Sequence, residues 1–200
     1  MAKKNLEREE RRKIQIVQAA YEVIATKGYN NFTIEDIANQ AGLSKGGVLH
    51  YFKTKEDILI HLLEQIYMII EKTIRKRAEK YQSPERKIKA IIIGYVTIAK
   101  KQPAFYRVMA DFWAQITINE RIRDINTKIF EKMSNEFKKV IDMGKEQALF
   151  GKVDSSGIAY AITAMLINTA MQWTFNSAIY NIDHVGRQCI RMVMSNLTRP

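Results

Sequence analysis

Cysteine is almost missing from this chain of 200 residues, in which Cys189 is the single example. One cysteine cannot form a disulfide within the chain, and this usage is typical of a reducing cytoplasm. Val185, Val193 and Leu197 recur at helical spacing around it, so we expect a small buried apolar residue rather than a reactive thiol. Residues 1–13 interleave acidic and basic side chains without an apolar run, so we expect no secretory signal and a cytoplasmic protein.

Histidine and the motifs of common enzymes are scarce as well. The three histidines, His50, His61 and His184, are scattered along the chain. The sequence contains no HExxH or Cys/His metal spacing, no GxSxG and no glycine-rich phosphate loop. We therefore predict no catalytic residues, no metal site and no cofactor, and we expect that the chain is not an enzyme.

Few features interrupt the helical pattern of the chain. Proline occurs three times, and no segment alternates apolar and polar residues as a half-buried β-strand does. Apolar residues instead recur every three or four positions, which is typical of amphipathic helices. We predict an all-α fold of roughly nine helices. The expected helices cover residues 14–28, 34–42, 44–52, 56–81, 84–101, 103–118, 119–150, 154–178 and 183–197.

Charged residues are missing from positions 155–182, a segment long enough to span a membrane. The segment nevertheless carries many Thr, Asn and Gln residues, a polar density that is high for a lipid-facing helix. Small residues such as Ala164 and Ala170 would let another helix approach closely. We favour a helix in the core and at a dimer interface, and a membrane segment is the alternative.

The segment that begins at Thr33 predicts two short helices joined by a glycine turn. Thr33 and Ser44 are helix N-caps, and Gly42 tolerates the left-handed conformation of a tight turn. Gly46 and Gly47 would each weaken an ordinary helix by about 1 kcal/mol relative to Ala. We interpret them as clearance at the end of a recognition helix that comes closest to base edges. A helical hairpin within an all-α core is the alternative.

The net charge of +11 favours a polyanionic partner, such as nucleic acid or an anionic membrane. A generally basic proteome would give a similar excess of Lys and Arg. The charge therefore supports DNA binding without deciding it.

The run AAYEVIATKGYNNFTIEDIANQAGLSKGGVLHYFKTKEDIL, residues 19–59, resembles the DNA-binding domain of the TetR family of bacterial transcriptional regulators. The resemblance lies in the T-[IV]-x-x-I-A-x-x-A-G-[VL]-S core and the Y-F-x-[ST]-K-E close. It implies a DNA-binding domain over residues 1–55. The implied base-edge contacts are Lys45, Gly46, Gly47 and Leu49, and the implied phosphate contacts are Thr33, Ser44, His50, Tyr51 and Lys55. The chain departs from the family at Leu49, where Tyr is common, and at Gly47, where Thr is frequent.

Residues 56–200 are expected to form a helical ligand-binding and dimerisation domain. Pockets between bundle helices are typically lined by aromatic and Met side chains. The expected ligand contacts are Tyr95, Phe105, Met109, Phe112, Trp113, Phe130 and Trp173, and core packing is the alternative for each. The segment FYRVMADFWAQITINERIRD, residues 105–124, mildly resembles the C-terminal half of the BetI-like branch of the family.

The resemblance and the residue patterns together predict a homodimeric TetR-like repressor. It would bind a double-stranded DNA operator, pair through its last two helices at 154–178 and 183–197, and be released by a small hydrophobic or amphipathic effector. Two other classes remain open. One is a ligand-independent DNA-binding protein regulated by a protein partner. The other is a helical enzyme or membrane-associated protein that uses the fold of residues 1–55, which we call the headpiece, for another purpose.

Overall fold

A computed structural model describes residues 2–198 of the chain, with side chains from Leu6 onward. The described residues form nine helices and no strand, which confirms the predicted all-α fold. The helices are α1 (Ala2–Lys27), α2 (Ile34–Ala41), α3 (Lys45–Tyr51), α4 (Lys55–Ala78), α5 (Pro84–Lys101), α6 (Pro103–Gln115), α7 (Glu120–Glu146), α8 (Ser155–Phe175) and α9 (Ile182–Leu197).

The helix ends lie close to the predicted ones where local chemistry sets them. Pro84 and Pro103 begin α5 and α6 as expected, because a proline at the first helical position lacks only an amide hydrogen that the helix would not use. The beginning of α1 differs, since this helix extends back to Ala2. Its first turns carry mostly charged residues, so they leave no apolar periodicity that the sequence could reveal.

The end of α7 also differs from the prediction, which extended this helix to Phe150. The amides of Leu149 and Phe150 donate to the carbonyl of Gly144 at 2.9 and 3.1 Å, and Ala148 has a positive φ of 55°. The Phe150 ring packs so closely on Gly144 that a Cβ there would lie 2.1 Å from its Cδ2. The chain therefore folds back after Glu146, and Phe150 is buried as a result.

One compact unit comprises the chain up to Tyr67 together with Arg107–Ile125. Within it α1 packs against α2, and α2 packs against α3. Its core consists of side chains that are almost completely buried, including Ile16, Ile24, Phe32, Ile37, Val48, Leu59, Leu63, Phe112 and Ile122. Compactness does not define a DNA-binding domain, so the boundary after residue 55 stays a prediction.

The second compact unit comprises Met68–Tyr106 and the chain from Asn126 onward. Here α5 packs against both α8 and α9, which also contact each other. Gly186 allows a close approach, because a Cβ at this position would lie 2.8 Å from Cγ2 of Val96. Cys189 is buried in this unit, as expected, and burial raises the pKa of its thiol.

The uncharged segment forms α8 and ends as a helix at Phe175. Ala159 and Ala170 face the core, whereas Ala161 and Ala164 are exposed. Within residues 2–198, no helix combines the length and the apolar character that crossing a membrane requires.

Candidate nucleic-acid interface

The first helix of the predicted helix-turn-helix, α2, is fixed by a reciprocal cap. The amide of Asp36 donates to Oγ1 of Thr33 at 3.1 Å, and the amide of Thr33 donates to Oδ2 of Asp36 at 2.8 Å. Lys27 donates to the other carboxylate oxygen at 2.7 Å. These contacts, that of Lys27 first, lower the pKa of Asp36 from 3.8 to about 2. An eight-residue helix is too short to be stable on its own, so such a cap stabilises it where it begins.

The turn between α2 and α3 is the glycine turn that the sequence predicts. Gly42 has a φ of 63°, and the amides of Gly42 and Leu43 donate to the carbonyls of Asn39 and Ala38 at 3.2 and 2.9 Å. These bonds satisfy the last carbonyls of α2. Ala38, whose carbonyl accepts one of these bonds, is buried. The turn thereby fixes the direction in which α3 begins.

The candidate recognition helix α3 has one buried side and one exposed side. Ser44 caps it by accepting a hydrogen bond from the amide of Gly47 at 3.0 Å. Val48 and Phe52 are buried and anchor the helix to the headpiece. Lys45 and Gly46 are exposed, and a Cβ added at Gly46 would meet no other atom within 4 Å. The beginning of α3 therefore presents bare backbone and one cation to the outside.

Three further predicted base and phosphate contacts, Leu49, His50 and Tyr51, lie along the same short helix. His50 is exposed, while Leu49 and Tyr51 are half-buried. The rings of His50 and Tyr51 meet edge to face with centroids 4.9 Å apart. The ammonium group of Lys45 lies 3.8 Å from the carboxylate of Glu35 in an exposed pair. Such a pair is weak enough for a phosphate or a base to replace it.

Lys55, a predicted phosphate contact, has partners inside the headpiece. Its ammonium group donates to the carbonyl of Phe32 and lies 4.6 Å from the centroid of the Phe32 ring. Both contacts hold the start of α4 against the residue that precedes the cap of α2. The predicted phosphate contact remains a prediction, and the structure adds a positioning role that the sequence pattern did not suggest.

Lys53 is an exposed cation that the sequence interpretation missed. It lies two residues after the end of α3, and its ammonium group donates to the carbonyl of Leu49 at 3.1 Å. A basic residue after the last turn of a helix is a recognisable C-terminal signal, because it compensates free carbonyls and the negative end of the helix dipole. That signal was present in the sequence.

The same compact unit contains polar contacts between the headpiece and the α6–α7 region. Asp111 of α6 accepts a hydrogen bond from the amide of Tyr29 at 2.7 Å. Arg121 of α7 lies 3.1 Å from Oε1 of Glu56 and donates to Oδ1 of Asp57 at 2.8 Å. Burial alone would raise the pKa of Asp57, but hydrogen bonds from Arg121 and Thr54 outweigh it and leave that pKa lowered. We call this set of contacts around Arg121 the α4–α7 clamp.

The α4–α7 clamp also includes Asn119, whose amide donates to Oε2 of Glu56 at 2.7 Å. No spacing rule connects residues more than sixty positions apart, so a single sequence carries no signal for these pairs. These contacts can be recognised only in the folded structure, where α4 and the beginning of α7 lie next to each other.

The predicted ligand contacts divide between the two compact units. Met109, Phe112 and Trp113 belong to the unit that contains the headpiece, and Tyr95, Phe105, Phe130 and Trp173 belong to the other. Phe112 is fully buried and Tyr95 is nearly so. The Phe130 ring stacks on the Tyr160 ring with centroids 5.9 Å apart. Their role in ligand binding stays a prediction.

Three further residues near these contacts carry buried hydroxyl groups. Tyr106 follows Phe105 and is buried, and its burial raises the pKa of its phenol. Ser134 of α7 donates to Oγ1 of Thr163 of α8 at 3.1 Å, and both residues are buried. Buried hydroxyls inside an aromatic core are the kind of polar group that orients a ligand, although helix packing alone also tolerates them.

Comparison with known proteins finds matches to two parts of the chain, both to transcriptional regulators. The pattern described as "Bacterial regulatory proteins, tetR family" matches residues 16–62, and that described as "BetI-type transcriptional repressor, C-terminal" matches residues 84–198. The fatty acid metabolism regulator protein of Bacillus subtilis is 25% identical over 92% of this chain and 94% of its own length. The regulator BetI of Cronobacter sakazakii is 27% identical over 80% of each chain.

Solved structures agree with this assignment at the level of fold. A TetR regulator from Haloarcula marismortui has a TM-score of 0.85 at 19% identity, covering 95% of this chain and all of its own. FadR from Bacillus subtilis, in complex with stearoyl-CoA, has a TM-score of 0.78 at 24% identity and covers 92% and 98%. A regulator from Saccharomonospora viridis in complex with choline has a TM-score of 0.77 at 20% identity and covers 94% and 98%. Together with the helix-turn-helix geometry, the matched halves show that the chain is a transcriptional regulator of the TetR family with a BetI-type C-terminal half.

Proposed function

We propose that this regulator is a repressor that binds its operator as a homodimer and is released by a small hydrophobic or amphipathic ligand. The observation that carries the proposal is the exposed beginning of α3. Val48 anchors this helix from behind, while Lys45 and Gly46 face outward at the end that a recognition helix turns toward the bases. The protein would carry out this role in the cytoplasm.

The proposed base contacts are Lys45, Gly46, Gly47 and Leu49. A Lys at the groove-facing start of the helix can donate to O6 and N7 of guanine, and Leu49 can contact a thymine methyl group. The proposed phosphate contacts are Thr33, Ser44, His50, Tyr51 and Lys55, which fix the position of the helix on the duplex. Ser44 and Thr33 would do so at the beginnings of two helices, where the first-turn amides that the caps leave unengaged favour anions.

Homodimerisation is proposed to use α8 and α9. The exposed side of α8 carries Gly157, Tyr160, Ala161 and Ala164, which are small or aromatic and bear no charge. A second copy of this surface is a suitable cover, because small residues allow close helix approach and no charge would be buried. A dimer is also what a two-half-site operator requires, since two recognition helices must lie about 34 Å apart to meet successive major grooves.

Release by a ligand is proposed to depend on α4, which runs from the headpiece into the second unit. At about 1.5 Å per residue, its 24 residues extend roughly 36 Å, so a small tilt at one end displaces the other considerably. The α4–α7 clamp would transmit the position of α7 to Glu56 and Asp57, close to the recognition helix. A ligand that favours the displaced state needs about 1–3 kcal/mol of coupling to weaken DNA binding several-fold to a hundred-fold.

The proposal is tested by DNA binding followed by ligand titration. The full chain is first used to select operator sequences from random duplexes, and its affinity for a selected duplex is compared with that for a scrambled one. We expect tighter binding of the selected duplex, and equal affinities would overturn the proposal. Stearoyl-CoA and choline, the ligands named for two structural neighbours, are then titrated into the complex. Release by either would support ligand control. Retention with both, while a cellular protein releases the DNA, would favour a partner-controlled regulator.

A further inference from the structure

The first turns of α1 extend beyond the C-terminal end of α2, the end that leads into α3. Three side-chain contacts fix this geometry, because their positions descend along α1 as they rise along α2. They join Lys27 to Asp36, Glu22 to Gln40, and Gln15 to the carbonyl of Ala41. The two helices are therefore antiparallel, and the residues before Gln15 have no part of α2 left to pack against. We call residues 6–13 the α1 overhang.

The α1 overhang begins next to the turn that leads into the recognition helix. The side-chain amide of Gln15 donates to the carbonyl of Ala41 at 2.7 Å, and Ala41 precedes the cap Ser44 by three residues. From Gln15 back to Arg8 the helix rises by roughly 10 Å at about 1.5 Å per residue. The overhang thus begins one side-chain hydrogen bond away from the end of α2 that leads into α3.

Two arginines of the overhang share the helix face of Gln15. Arg11 and Arg8 precede it by four and seven residues, which places all three on one side of an α-helix. Both arginines are exposed, and among the described side chains neither has an ion-pair partner. The acidic residue Glu10 is instead paired with Lys13 at 3.7 Å. One face of the overhang therefore carries two guanidinium groups without an ion pair in the described part of the chain, and the carboxylate of Glu7, one turn before Arg11, is not within 4 Å of either.

We propose that Arg8 and Arg11 bind phosphates of the DNA backbone flanking the bases that α3 contacts. This inference rests on the proposed DNA binding and adds a second anchoring surface to it. Its support is charge complementarity and continuity with the exposed beginning of α3. A planar guanidinium suits phosphate, since it can donate two parallel hydrogen bonds. Because phosphates carry no sequence information, these arginines raise affinity for all duplexes alike.

The test is the salt dependence of binding to a random-sequence duplex of about 40 base pairs, roughly four helical turns. We expect the double variant R8Q/R11Q to flatten the slope of log Kobs against log salt by about 0.9 for each phosphate that it no longer neutralises, up to about 3.6 for a dimer. The variant R8K/R11K should retain most of the slope, because Lys also neutralises phosphate. Circular dichroism of all variants shows whether α1 keeps its helix.

A matched control removes the same charge far from this surface. The variant K101Q/K152Q changes two exposed lysines of the second unit, and we expect its slope to stay near that of the wild type. An unchanged slope in R8Q/R11Q, or an equal reduction in the control, would overturn the inference while leaving the proposed function standing. A wild type that fails to bind the duplex at any salt concentration would instead overturn the proposed function.

Discussion

The exposed surfaces of α3 and α8 differ in chemistry although both leave side chains uncovered. The beginning of α3 offers the cation of Lys45 beside bare backbone at Gly46. The open side of α8 offers Tyr160, Ala161 and Ala164 and no charge. A polyanion suits the first surface, and a second apolar surface suits the other. Exposure alone therefore does not indicate the partner, whereas the charge of what is exposed does.

The two surfaces also differ in how their helices are stabilised. The short helices α2 and α3 depend on the caps Thr33 and Ser44, because helices of seven or eight residues cannot form from backbone bonds alone. The longer helix α8 also begins at a cap, Asp154, but it buries a larger set of residues along its length, among them Ile162 and Leu166. Because of the difference in surface charge, we expect changes on the exposed side of α8 to affect association and changes at the beginning of α3 to affect DNA binding.

The largest expected effect is the loss of the dimer in Ala164→Arg. An arginine on the exposed uncharged face of α8 would be buried without a partner in a dimer, which costs about 3–5 kcal/mol. Operator binding should fall with it, because a monomer loses the effective concentration that makes two half-sites act together. Sedimentation velocity measures the association, and a binding titration measures the second effect.

A matched control for this change is Gln147→Arg, which adds the same charge at an exposed position after α7. We expect it to remain dimeric. Ala170→Arg serves a different purpose, because Ala170 is buried within its own unit and an arginine there should lower the unfolding midpoint. A monomeric wild type, or a dimer that persists in Ala164→Arg, would remove α8 from the interface.

The second expected effect concerns specificity at the surface of α3. Lys45→Ala should reduce the discrimination between operator variants by about 1–3 kcal/mol, since the variant cannot donate to a base edge from this position. Affinity for random duplexes should fall less. Glu35→Gln is a useful counterpart, because it removes the carboxylate that lies 3.8 Å from the Lys45 ammonium and should strengthen binding to every duplex. An equal reduction on all duplexes in Lys45→Ala would identify Lys45 as a phosphate contact.

The fold was predictable wherever a helix is short and its ends carry local signals. Thr33 and Ser44 mark the beginnings of α2 and α3 by side-chain caps, Gly42 marks the turn by its left-handed backbone, and the structure confirms all three. The early end of α7 was not predictable, because it depends on the ring of Phe150 folding back onto Gly144.

The candidate site was predictable in its location but not in its internal contacts. The position of the recognition helix follows from the motif. The engagement of Lys55 with Phe32 and the α4–α7 clamp join residues that are 23 and more than 60 positions apart. Such contacts depend on how the helices are placed in space, and a single sequence does not show that placement. The start of α1 was missed for a different reason, since its charged turns leave no apolar pattern.

The third prediction sets two exposed glycines of the headpiece against each other. Gly42→Ala should destabilise the fold by about 1–2 kcal/mol, because a Cβ is strained at a left-handed φ. Its φ is 63°. Gly46→Ala should instead stabilise the fold by about 0.5–1 kcal/mol, because Gly46 is helical and its new methyl group meets no atom within 4 Å.

DNA binding distinguishes the purpose of Gly46 from its conformation. If the glycine provides clearance at base edges, Gly46→Ala should bind DNA more weakly although it is the more stable protein. Urea unfolding and a DNA titration on the same preparation give both quantities. Unchanged DNA affinity would show that the beginning of α3 does not approach the bases closely.

The smallest expected effect is the acid sensitivity of the α2 cap. The pKa of Asp36 is lowered from 3.8 to about 2 by Lys27 and by Thr33, so its carboxylate stabilises the folded state fully above pH 3.8. That contribution is lost as the pH falls toward about 2, where the folded state also binds the proton. Asp36→Asn keeps a cap acceptor for the amide of Thr33 but has no charge to lose. We therefore expect its unfolding midpoint to decline less than that of the wild type between these two pH values, with Lys27→Gln showing an intermediate decline. Thermal unfolding at a series of acidic pH values makes the comparison, and parallel declines in all three proteins would show that the Lys27 to Asp36 pair does not stabilise the headpiece.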